Sequence, residues 1–256
     1  MNPSIPRTFV GPHWAARLAA LLLGACVSVS WAQSKKAPVV KFDAASALNK
    51  AVRQPMLAER ITKSFTLVGQ RVLETRSKRQ LEDAVKEFEQ ALKDLQATAP
   101  TPEIKDNYQL LEQLFDEFRN ITGKPVSLQN AKDLAEQNEE LVWISTKGAL
   151  LLQAHTKSAR SDLIVIAGEL RTLTQRIAKL YLFRSWGIRS DVLANDLKKA
   201  EADYRADIAK LLAAPQNTEQ IKSELALAET QYLFLRQSIE RLNANKSSTT
   251  ELEHVT

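Results

Sequence analysis

The chain has 256 residues, 44% of them hydrophobic and 25% charged, a composition that supports a packed core and excludes a disordered or collagen-like polypeptide. Seven Gly and nine Pro are too few for an all-β sandwich with its frequent turns, and three His with one Cys exclude zinc clusters, c-type haem attachment and disulfide frameworks within one chain. The net charge of +5 arises from 35 basic and 30 acidic residues that are interspersed, so no basic stripe points to nucleic acid.

Residues 1–32 carry Arg7 and Arg17, no acidic residue, and the apolar run Leu18–Val27. That run is shorter than the ~20 apolar residues of a membrane span. With its basic flank it reads as an export signal, and Ser30 and Ala32 around Trp31 predict cleavage after Ala32. Leu23-Gly24-Ala25-Cys26 supplies an alternative, lipidation at Cys26. Simple cleavage is favoured because the apolar run continues past Cys26. A periplasmic location is therefore expected, with a lipid anchor as the alternative, and residues 33–42 form a linker. No later segment approaches a membrane span.

From residue 43 onward the sequence predicts helices with short breaks. The first covers 43–76, with Pro55 expected to start, kink or divide it. Helices over 78–96 and 103–121 follow, the second stopped by Thr122-Gly123-Lys124-Pro125. Ser127 is an N-cap for a fourth that continues toward His155. Residues 161–186, 191–212 and 218–243 give three more, and the pattern leaves open whether 127–186 is one helix or two. Residues 244–256 form a polar tail.

The same pattern occurs twice. Arg60-Ile61-Thr62-Lys63 recurs as Arg176-Ile177-Ala178-Lys179 at an offset of 116, which also carries Leu57 onto Leu173, Phe88 onto Tyr204, Leu92 onto Ile208 and Leu95 onto Leu211. An offset of 117 carries Ile104 onto Ile221, Phe115 onto Tyr232 and Arg119 onto Arg236. These positions predict an all-α, antiparallel helical bundle built from a tandem duplicated three- to four-helix unit. The first repeat is 43–158 and the second, shortened, is 159–243. Leu163, Ile166, Leu170, Leu173, Ile177 and Leu180, spaced three and four apart, form a heptad seam for the core.

The segment Ala167–Leu182 carries the functional signal. Arg171 lies one turn after Gly168 on the same face, and its side chain leans back over that glycine. A helix-interior Gly costs ~0.5–1 kcal/mol relative to Ala, which suggests that the missing side chain leaves room. Ala167, Thr174 and Ala178 keep the flank small, and Thr174 adds a hydroxyl donor. A guanidinium beside such a gap suits a planar oxyanion. The competing reading is an Arg171 that is solvated or paired with Glu169 or Glu201.

This segment resembles the signature of the PilJ-type domain, the N-terminal sensor module of type IV pilus methyl-accepting chemotaxis transducers. It is also similar to the periplasmic domain of nitrate/nitrite-responsive sensor kinases of the NarX type. Ala167, Gly168, Arg171 and Arg176 match a family pattern close to A-G-x-x-R-M-x-S-x-R; Arg53, Gln54, Met56, Leu57, Arg60 and Ile61 match another subset in the first copy. The resemblance implies an anion bound by Arg171 where equivalent helices face each other, with Arg53 or Arg60 as a second charge. Pro55, Thr172 and Glu169 depart from the pattern, and Pro55 removes the arginine expected opposite Arg171.

The leading reading is thus an exported, sensor-like module that binds a small nitrate- or nitrite-like anion through Arg171, Gly168, Thr174, Arg53 and Arg60. It would pass its signal to a membrane or periplasmic protein partner. The alternative is a structural or interaction bundle, associated with type IV pili or chemosensing, without ligand binding. No catalytic constellation, metal site or cofactor motif is found, so enzyme activity is not expected.

Overall fold

The computed structural model describes residues 43–244, which form seven α-helices; no strand occurs among them. The expected export signal, the linker up to residue 42 and the tail from 245 lie outside the described residues. α1 (Ala44–Gly69) starts where the Asp43 side chain accepts the Ala45 N–H, and it runs through Pro55 without dividing. Gln54, beside that proline, turns inward and donates through Nε2 to the Phe88 carbonyl at 3.2 Å. This bond ties the Pro55 turn of α1 to α2 (Glu74–Ala97).

The helix expected over 43–76 is interrupted at Gln70–Leu73. Val72 N–H bonds back to the Leu67 carbonyl and Arg71 N–H to that of Val68, a Schellman-type close with Arg71 left-handed at φ 56°. Leu73 is left-handed as well, at φ 43°. No glycine occupies either position, so the usual sequence mark of this turn is missing. Gly69 has a different role: a Cβ there would lie 2.0 Å from the Trp186 ring, so its bare backbone admits that ring.

The remaining boundaries follow ordinary caps. Thr101, Ser127 and Ser190 cap α3 (Pro102–Thr122), α4 (Leu128–Thr156) and α6 (Asp191–Leu212) with their hydroxyls. Between α4 and α5 (Ala159–Ser185), Lys157 is left-handed, and Ser158 and Ser161 exchange reciprocal 3.1 Å capping bonds. Residues 127–186 are therefore two helices. α7 spans Glu219–Ala244.

α1 and α2 run antiparallel, as Lys50–Asp94 and Gln54–Phe88 establish, and so do α4 and α5, through Gln153–Asp162 and Glu139–Arg176. The central pair does not. Val52 packs on Gly168, Glu59 meets Arg176 and Gln70 meets Ser185, so α1 and α5 are parallel, in a register close to the sequence offset of 116. α1 packs against α2, α4 and α5, and α5 also carries α6. One core lies mainly within α1–α4; a second joins Leu67 and Val72 to α5, α6 and α7.

Positions related by the offset make like contacts. Phe88 stacks on Phe115 at 4.2 Å and Tyr204 on Tyr232 at 3.9 Å. Leu57, Leu173, Leu92, Ile208, Leu95 and Leu211 are all buried. The likeness fades in α7: Ile104 is buried in α3, whereas Ile221, Leu227 and Phe234 are exposed. Trp143 on α4 is exposed too, with the Lys147 ammonium 5.9 Å from its ring centre.

The α1–α5 contact is closest at Gly168, where a Cβ would fall 2.4 Å from the Val52 Cβ. Overpacking of this kind costs about 1–3 kcal/mol. Gly168→Val should lower the urea midpoint by a corresponding amount. The exchange Gly168→Val with Val52→Gly should recover part of the loss, because it moves the knob to the other helix. A single variant as stable as the unmodified chain would contradict this packing.

Candidate functional site

Between α1, α4, α5 and α6 lies a cluster of charged groups that the sequence reading did not assemble. Arg176 of α5 donates to Glu59 of α1 at 2.9 Å, to Glu139 of α4 at 2.6 Å and to Asp196 of α6 at 2.5 Å. Lys179, one turn later, meets Glu59 at 2.8 Å and Glu139 at 3.0 Å. Asn138 donates to Thr62 Oγ1 and the Ala58 carbonyl and accepts from Lys179, each at 2.9 Å. The side chains of Glu59 and Lys179 are 0% exposed. Two isolated charges at that depth would carry a large desolvation penalty, so their pairing is a condition of folding.

The electrostatics follow from this geometry. Burial works against ionisation of Glu139, but Lys179 and Arg176 outweigh it and hold the carboxyl below its ordinary range. Burial likewise works against the Arg176 charge, and Glu59 and Glu139 reverse that effect and raise its pKa. The sequence did contain a signal for the cluster. Arg-Ile-x-Lys occurs among apolar residues of two helices, where a buried cation needs a carboxylate partner, and Glu59 directly precedes the first occurrence.

The residues expected to form an anion site are only partly brought together. Arg171 and Thr174 line one cleft of about 260 Å³, together with Lys63, Gln175, Tyr204 and Tyr232. Arg60 lies on an adjoining cavity that shares Lys63 and Gln175 with this cleft. Arg53 is directed away, into an ion pair with Glu87 of α2. The room expected beside Gly168 is occupied by Val52. The Thr174 hydroxyl donates to the Leu170 carbonyl at 2.9 Å, which leaves its oxygen as an acceptor.

The two acidic candidates for Arg171 lie elsewhere. Glu169 lines a separate cavity between α1, α4 and α5, and Glu201 lines one along α5 and α6. Burial, then the nearby carboxylates of Asp207 and Asp203, raise the Glu169 pKa. Among the described residues, no acidic residue lines the Arg171 cleft. Lys63, which does line it, is buried; that burial, followed by repulsion from Arg60 and Arg76, pushes its pKa down to about 8. Among the described residues, no group of three or more His, Cys, Asp and Glu could hold a metal ion, and no helix is long and apolar enough to cross a membrane.

Residues 43–141 match the PilJ family model, described as type IV pili methyl-accepting chemotaxis transducer N-term. The match takes in α1, α2, α3 and the first half of α4, including Arg53, Arg60 and Glu59, and it ends before the Ala167–Leu182 segment. The match covers less than half of the chain, so it is a likeness of these helices to the sensor region of such transducers. No curated protein and no solved structure matches the chain.

The cluster predicts a pH dependence with a definite sign. Because the folded-state pKa of Glu139 is lowered, its ionisation stabilises the fold above the unfolded-state value. That contribution is lost as the pH falls through the lowered folded value. Glu139→Gln should be less stable than the unmodified chain near neutrality, with the difference shrinking between about pH 5 and pH 3. Urea titrations at stepped pH check this, and a constant difference over the range would contradict it.

Proposed function

We propose that the chain is an exported, sensor-like module that takes a small planar oxyanion, of the nitrate or nitrite type, in the cleft of Arg171, Thr174 and Lys63. The observation that carries this reading is a cleft whose lining, among the described residues, holds an arginine and a buried lysine and no carboxylate. An anion entering it meets two cations and the phenols of Tyr204 and Tyr232. The PilJ match supports a signalling role, in which the bound state is read by a periplasmic or membrane protein partner. The basic start, the apolar run Leu18–Val27 and the Ser30-Trp31-Ala32 site support export.

This proposal moves the anion from the expected place. Resemblance to the nitrate sensors implied a ligand between equivalent helices, but α1 and α5 close on each other at Val52 and Gly168. The proposed cleft lies instead on the outer flank of α5, toward α6 and α7. That closed α1–α5 contact, with Pro55 opposite the Arg171 level, favours the second reading, an interaction bundle that keeps the fold without a ligand.

Titration calorimetry with nitrate and nitrite separates the two. A hydrogen bond to a charged group contributes ~1.5–3 kcal/mol, so Arg171→Ala should weaken binding by roughly tenfold or more while leaving the circular dichroism unchanged. Unmodified protein that gives neither heat nor a thermal shift at millimolar anion would leave the interaction-bundle reading in place.

Affinity should also respond to Lys63. Groups around it include Arg60 on α1, Arg76, Asp83 and Glu87 on α2, and Arg171 on α5, with the phenols of α6 and α7 across the cleft. An anion needs the ammonium form, so affinity should hold below pH 8 and decline above it, well before an ordinary lysine would titrate. Lys63→Gln should remove that decline along with part of the affinity. A profile that stays flat to pH 10 would exclude Lys63 from the site.

A further inference from the structure

Within α1–α4, the helix α4 fills a groove across α1 and α3. Its Asn138 donates to the Ala58 carbonyl and to Thr62 Oγ1 of α1, each at 2.9 Å. Asn107 Nδ2 of α3 donates to the Ile144 carbonyl of α4 at 3.2 Å, and Gly148 lets α4 close over Tyr108. The offset of 116 carries Ala58 and Thr62 onto Thr174 and Ala178, so the small flank of α5 is the counterpart of a face on which a helix packs. An offset of 117 carries Ile104 and Leu111 of α3 onto Ile221 and Ala228 of α7. Ile104 is 2% exposed and Leu111 is fully buried, whereas Ile221 is 44% exposed and Ala228 lines the Arg171 cleft beside Thr174 and Ala178. Among the described residues, no helix crosses α5 and α7 as α4 crosses α1 and α3.

The open groove carries polar groups without partners among the described residues. Tyr232 is only 5% exposed, and its hydroxyl, like Gln175 Oε1, is buried without a hydrogen bond. Both oxygens accept from an N–H or O–H donor, the kind of group that Asn138 brings into the first groove. Arg171, exposed on the rim, makes no ion pair among the described residues. It stands at the counterpart of Pro55, which lines one cavity together with Val142, Thr146 and Ala149 of α4.

We infer that this groove docks one amphipathic helix of another protein, seated across α5 and α7 as α4 is seated across α1 and α3, with a carboxylate side chain against Arg171. Charge complementarity sets the acid: the incoming helix differs from α4 near the position of Val142, where an acidic residue meets the unpaired guanidinium. Its apolar face covers Ile221 and the small flank, the helix-in-groove mode of recognition. The inference rests on the reading that the chain acts through a protein partner, and it does not require that an anion bind, although both use Arg171.

A peptide of residues 128–156 serves as the probe, unmodified and with Val142→Glu, each added to the full chain and followed by fluorescence anisotropy. The Val142→Glu peptide should bind, and the unmodified peptide roughly tenfold more weakly. Arg171→Glu in the chain should reverse that order. Ile221 belongs to the groove but does not line the anion cleft, so Ile221→Asp should weaken the acidic peptide about tenfold and leave any nitrate heat unchanged. A chain that gives no nitrate heat yet binds the peptide in this pattern would remove the anion reading and support the helix. Absence of Val142→Glu peptide binding at millimolar concentration would overturn the inference, as would binding indifferent to both Arg171→Glu and Ile221→Asp. Sedimentation showing a dimer of the unmodified chain that Ile221→Asp dissociates would also overturn it, by assigning the groove to a second copy.

Discussion

Glu59 is the point on which the bundle turns. Its fully buried carboxylate is held by Arg176 and Lys179, and those cations reach Glu139 on α4 and Asp196 on α6. Four helices are thereby tied through one anionic side chain. Apolar packing supplies most of the stabilisation, since each buried Leu or Ile contributes ~1.5–3 kcal/mol, but apolar packing alone tolerates sliding. A slide of one turn between α1 and α5 would leave two cations and a carboxylate buried without partners. The cluster therefore fixes the register, and the Val52–Gly168 contact fixes the spacing.

That register sets residues related by the offset beside one another along α1 and α5. Because α1 and α5 run parallel at nearly the offset that relates their sequences, matching residues face opposite flanks of the same axis. One flank is closed by Glu59, Asp196 and Glu139. The other presents Gln175, Gln80 and the opening toward Arg171. The two flanks are alike in outline and differ in how their charges are paired. An anion in the Arg171 cleft would act on α5 and α1 together, the elements against which α2, α4 and α6 pack.

Much of this was legible in the sequence. The heptad seam gave α5 and its buried side, and Ser127 and the Thr122–Pro125 stop gave the α3–α4 connection. Other features were hidden for physical reasons. The turn at Gln70–Leu73 uses left-handed Arg71 and Leu73, where a glycine would have announced it. Gly168 read as space for a ligand because a sequence cannot say that a valine from another helix fills that space. Arg176 matched a pattern, but its partners come from residues 59, 139 and 196, which only the fold brings together. Lys63 entered the sequence reading as part of a repeat; its burial beside Arg60 is what brings it into the candidate site.

The account's central claim is that one flank of the α1–α5 axis is an ionic lock and the other is not. Double-mutant cycles measure this directly, from urea unfolding of Glu59→Gln, Arg176→Gln and the double variant, beside Gln175→Ala, Arg60→Gln and their double variant. The Glu59–Arg176 coupling should be about 2 kcal/mol or more, and the Gln175–Arg60 coupling within about 0.5 kcal/mol of zero. Equal couplings on the two flanks, or a Glu59–Arg176 coupling near zero, would contradict the account.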